Sequence, residues 1–87
     1  MKIIAKQIDM LAVFEQDGTV KPQRFRLVGD DQTVRTIKVD QIITTTETKT
    51  GGIKALLFAC QSSVGNVMKR YELRYCIDDH RWEMFKM

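Results

Sequence analysis

The stretch YELRYCIDDHRWEMFKM (71–87) gathers Cys76, the only histidine (His80), two tyrosines and the only tryptophan (Trp82). Together with Cys60, these residues suggest two kinds of chemistry. A metal site would use Cys60, Cys76 and His80, with Asp79 as a fourth ligand. Structural zinc normally takes four Cys or His ligands in short paired spacings, and only three soft ligands exist here. A Cys–His nucleophile needs thiolate and imidazole in contact and a third group to orient the base. Neither ALLFACQ nor LRYCIDD carries a nucleophile motif, so no catalytic residue and no cofactor is assigned. No GxGxxG, Walker loop, HExxH or GxSxG is present. The pairs Asp30-Asp31 and Asp78-Asp79 fall in turn sequences, where carboxylates bond local backbone.

The cations offer a further possibility. Arg24 and Arg26 share one face of RFRLV, Arg70 and Arg74 belong to a later strand, and Lys21, Lys69 and Arg81 lie near strand ends. If the two strands lie close, Arg24, Arg26, Lys69, Arg70, Arg74 and Arg81 would contact nucleic acid or an acidic partner. Glu72 and Glu83 share that face, however, and the formal charge of +3 comes from acids and bases mixed along the chain. A solvated face of mixed charge is the simpler reading.

The elements that must position these residues are strands. Turn sequences at Gln16-Asp17-Gly18, Gly29-Asp30-Asp31, Gly51-Gly52, Ser62 to Asn66 and Asp78-Asp79-His80 cut the chain into short extended pieces. TVRTIKVDQIITT is rich in β-branched residues, which suit a pleated surface. ALLFAC is apolar on both faces, as in a central strand. Pro22 lacks a backbone donor and belongs at an edge or a strand start. Residues 1–14 fit a helical stripe (Ile4, Ile8, Leu11) or strand alternation (Ile8, Met10, Ala12, Phe14). The QDG that follows favours a strand entering a hairpin.

The sequence bears on the register of two hairpins. In the closing hairpin a loop of Asp78 to Arg81 would put Ile77 opposite Trp82, Tyr75 opposite Met84, Cys76 opposite Glu83 and Arg74 opposite Phe85. Trp82 then becomes a core anchor. Around Gly51-Gly52 the register stays open: a Gly-Gly turn sets Lys49 against Lys54, and a loop one residue earlier pairs Glu47 with Lys54 instead.

The expected fold is therefore all-β: one domain over residues 1–87, an antiparallel meander of about six strands (3–15, 19–28, 33–46, 53–61, 67–77 and 82–87) curved into a small barrel or half-barrel. The expected core is Ile8, Met10, Phe25, Leu27, Ile37, Val39, Ile43, Leu56, Phe58, Tyr75, Ile77 and Trp82. A chain of 87 residues buries only about 60–65% of its unfolded surface, so it gains from closure or dimerisation. Two unpatterned cysteines point to a reducing compartment. Lys6, Gln7 and Asp9 interrupt the apolar start, and no apolar run reaches the ~20 residues of a membrane helix. The expectation is a cytoplasmic protein without membrane contact.

The pattern RFRL … VDQI … YELRY … RWEM resembles small bacterial β domains of unknown function over about residues 22–86. The resemblance implies an all-β fold and transfers no site residue. The functional expectation is a non-catalytic interaction module that binds a protein partner or self-associates through an edge strand or a basic face. A nucleic-acid-binding small β-barrel is second, and a metal-binding domain using Cys60, Cys76 and His80 is third.

Overall fold

In the computed structural model, which describes residues 1–87, seven strands and no helix carry the chain. They are β1 (Ile3–Phe14), β2 (Val20–Val28), β3 (Val34–Lys38), β4 (Gln41–Thr50), β5 (Ile53–Val64), β6 (Val67–Cys76) and β7 (Arg81–Lys86). They form one antiparallel sheet in the order β3-β2-β1-β7-β6-β5-β4, curled into a half-barrel. The all-β expectation holds, and the N-terminal segment is a strand. It is also the strand that closes the fold. Ile3 to Ile8 pair with β7 while Asp9 to Phe14 pair with β2, so β1 passes from one wall of the half-barrel to the other. Ala5, at φ 45, takes up the irregularity between Ile3 and Lys6.

The expected strand 33–46 is instead two, broken at Val39–Asp40. β3 and β4 are the two outermost strands of the sheet, so this corner carries the chain from one edge to the other. A remote residue fixes it. Ser62 is fully buried; its hydroxyl donates to the Lys38 carbonyl (2.7 Å) and accepts from the Asp40 amide (3.3 Å). The Tyr71 hydroxyl lies 2.5 Å from the same oxygen, and the Ser63 amide donates to the Asp40 carboxylate (2.8 Å). Turning the corner moves the inward position from Val39 to Ile42, and the irregularity between Ile42 and Thr44 leaves Ile43 without a cross-strand partner. Ile37 and Val39 face the core, then Ile42 does, and Ile43 is exposed where a core residue was expected.

The remaining core follows the alternation. Phe25, Ile37, Phe58, Tyr75 and Trp82 are buried, and Ile8, Met10, Leu27, Val39, Leu56 and Ile77 pack around them. Cys60, Tyr71, Leu73 and Met84 complete the cluster. Trp82 stacks on Phe58 (ring centroids 5.5 Å apart) and lies 4.8 Å from Tyr75. Pro22 sits beside the β1–β2 irregularity, before β3 begins to pair at Arg24, where no ladder bond needs its missing N–H.

The closing hairpin keeps the expected faces but not the expected pairs. Tyr75 lies opposite Trp82, Leu73 opposite Met84, Arg74 opposite Glu83 and Cys76 opposite Arg81. The loop is Ile77 to His80, one residue earlier than expected. His80, at φ 55, takes the left-handed conformation that ends it, and its Nδ1 lies 3.2 Å from the Tyr75 hydroxyl. At Gly51-Gly52 both glycines have positive φ, as a type I′ turn requires, and Lys49 faces Lys54. The turn conformation wins over the charge pair, because a threonine at positive φ would be a true outlier whereas two exposed lysines repel only weakly.

Candidate interaction edge

The sequence-derived site residues are dispersed. Cys60 faces the interior opposite Tyr71, while Cys76 projects from the outer face of the same sheet beside Arg81. The sheet thus separates the two thiols, and no three His, Cys, Asp or Glu side chains converge on a common point. Burial pushes the Cys60 thiol up to about 12. Burial also raises Cys76, and the Glu83 carboxylate beside it adds to the rise, so neither residue sits where a thiolate is favoured.

The arginines are no more convergent. Two strands, β1 and β7, lie between β2 with Arg24 and Arg26 and β6 with Arg70 and Arg74. Arg26 is paired with Asp9 (2.7 Å), and Arg74 with Glu83 (2.7 Å). Arg74 also lies 4.3 Å from the centroid of the Phe85 ring, so that aromatic is covered by a cation rather than open to a base. Arg81 and Arg26 are the two that meet, with His80 and Asp9, along one open recess of about 840 Å³. Arg24 is exposed opposite Lys38, and Lys69 and Arg70 lie at the end of the half-barrel near Tyr71.

Backbone, more than side chains, offers the larger unsatisfied feature. The strand order leaves β3 and β4 each with one open edge. β3 has five residues, with Arg35 and Lys38 near its ends, which is how natural sheets blunt an edge. β4 has ten, and it leaves the core as an exposed ribbon of threonines whose one extensive neighbour is β5. A two-residue turn closes on a hydrogen-bonded pair, here Thr50 with Ile53. By the antiparallel alternation, Thr48 and Thr46 then turn their backbone groups to β5, and Lys49, Glu47 and Thr45 direct theirs outward.

The side chains along this edge fall into two sets. Thr44, Thr46, Thr48 and Thr50 line one face; Thr45, Glu47 and Lys49 line the other, over Phe58, Leu56 and Lys54. Neither Glu47, Lys49 nor Lys54 takes part in any ion pair of the molecule. In the sequence alone Glu47 and Lys49 bear on the internal register; their i, i+2 spacing on a strand with an open side is the signal that they could face outward together. No family model, curated protein or solved structure matches the chain.

Proposed function

We propose that the protein is an interaction module without catalytic chemistry of its own, and that its docking element is the outer edge of β4, which pairs with the same edge of a second copy. The observation that carries this reading is a ten-residue edge strand with unpaired backbone groups and a self-complementary sequence. Centred on Thr48, an antiparallel β4–β4 pair sets Glu47 of each copy opposite Lys49 of the other. Thr46 then faces Thr50, and Thr48 faces its own symmetry mate. Opposite charges and threonine pairs across strands are each worth roughly 0.2–1 kcal/mol. The arrangement also supplies Lys49 with the acid that the Lys54 beside it cannot give. Such a two-fold contact closes on itself, so assembly stops at the dimer.

A strand pair this short buries less than a standard interface, so the dissociation constant falls between about 10 µM and 1 mM. Sedimentation velocity across that range tests the reading with three variants. Glu47→Lys and Lys49→Glu each place like charges across the two-fold axis and give monomers. The double exchange restores the opposite pairing and the dimer. A wild-type chain that stays monomeric at 1 mM overturns the proposal, as does dimerisation indifferent to both single changes.

A further inference from the structure

At one end of the half-barrel, β2 and β3 face the β5–β6 hairpin across a cavity of about 300 Å³. Its floor is the hydrophobic core itself: Phe25, Ile37 and Met84 are all buried, and all line the space. Its rim carries Arg35, Lys69 and Arg70. The four ion pairs of the molecule join Lys6 to Asp30, Lys21 to Glu15, Arg26 to Asp9 and Arg74 to Glu83, so none of the rim cations has a carboxylate partner. Asp31, the acid whose charge reaches Arg35, keeps its carboxylate on the Thr33 amide.

An apolar hollow ringed by three unpaired cations has the chemistry of a site for an amphiphile with an anionic head. We infer that this end of the half-barrel binds a medium-chain carboxylate, with the chain on Phe25, Ile37 and Met84 and the head between Arg35, Lys69 and Arg70. The cavity is small, so a short chain suits it, and octanoate, with ten non-hydrogen atoms, is the probe of matching scale. The volume lies at the small end of ordinary ligand pockets, and apolar walls with a few convergent polar groups are what such pockets present. Arginine suits the head because its planar fork meets a carboxylate through two parallel bonds. This site is distinct from the β4 edge, and its occupancy does not depend on dimerisation.

Amide-resolved NMR titration with sodium octanoate, 1-octanol and octyltrimethylammonium, each below its aggregation limit, tests the inference. Octanoate should shift the resonances of Leu27, Arg35, Ile37, Val64 and Tyr71, with 1-octanol weaker by about tenfold and the cation inert. Replacing Arg35 and Arg70 by glutamine, both on the exposed surface, should weaken octanoate about tenfold and leave 1-octanol unchanged. Val64→Trp, which fills the hollow, should abolish binding of both while the melting temperature confirms a folded chain. Equal affinity for octanoate and 1-octanol overturns the inference, as does octanoate binding that survives Val64→Trp or shifts confined to the recess at His80 and Arg81.

Discussion

Ser62 shows how much one small polar side chain can decide. It is the fully buried serine of a core otherwise made of apolar and aromatic groups, and it satisfies the backbone on both sides of the Val39–Asp40 corner. Its third partner is the Tyr71 hydroxyl, which donates to the Ser62 oxygen and whose pKa is pushed up to about 12 by burial. Changing Ser62 to alanine removes no more volume than one oxygen, yet leaves a carbonyl, an amide and a phenol without their partner. A buried polar group left unpaired costs about 1–3 kcal/mol, so Ser62→Ala should lower stability by roughly 2–4 kcal/mol in urea unfolding. Tyr71→Phe, which leaves the corner bonds in place, should cost less, and the double variant should cost less than the sum of the two. Strict additivity would mean that the hydroxyls do not act as one unit.

At the scale of elements, two loops repeat one design. In the β1–β2 loop the Glu15 amide donates to the Thr19 carbonyl, Gly18 donates back to Glu15, and Thr19 donates to the Asp17 carboxylate. The β2–β3 loop repeats this with Gly29, Gln32, Thr33 and Asp31. In both loops the threonine bonds hold the aspartate below its usual carboxylate range. At the left-handed position Gly18 has φ 91, and its counterpart Gln32 has φ 66 in the same region. Glycine adopts that conformation freely while other residues are strained there, so Gln32→Gly should raise stability by roughly 0.5–1 kcal/mol. Unchanged or lower stability in thermal melts would refute the equivalence of the loops. The same contrast explains what the sequence made legible. Turn chemistry and two-residue alternation are local, so the hairpins, the faces of β6 and β7 and most of the core could be read from them. The β1–β7 closure joins residues at opposite ends of the chain, and the corner at Asp40 is set by Ser62, 22 residues away. No local pattern records either. The loop at His80 starts one residue earlier than expected because His80 itself takes the left-handed position that ends it and frees Arg81 to begin β7, and Ile43 leaves the core because the corner and the irregularity after Ile42 shift the period. As for the candidate site, an open edge was foreseeable in kind, but which strand carries it depends on the sheet order.

For the molecule as a whole, the sheet is held closed at two places: the β1–β7 seam, where both ends of the chain meet, and the β3–β4 corner. Lys2 and Met87 exchange backbone hydrogen bonds of 3.0 Å in each direction, so a short linker can join the ends without strain. That makes the importance of the corner measurable by moving the chain break. A circular permutant joined through two glycines and opened between Gly51 and Gly52 cuts only an exposed turn, since a Cβ added at either glycine meets nothing within 4 Å. It should retain the buried Trp82 fluorescence of the parent and lose about 1–2 kcal/mol, the scale of reopening a tight turn. It should also fold more slowly, because the β4–β5 pairing, a local hairpin in the parent, becomes the most distant pairing in the permutant and outweighs the β1–β7 contact that the linker makes local. A second permutant, opened between Val39 and Asp40, cuts the corner that Ser62 holds from both sides. Lys38 and Asp40 then reach Ser62 as two free ends, and the edges lose the connection that brings them together. The loss there should be the larger, about 3 kcal/mol or more, from unsatisfied buried groups and added chain freedom together. If the two permutants prove equally stable, the corner is a mere connector, and the curl of the half-barrel is set by the β1–β7 seam alone.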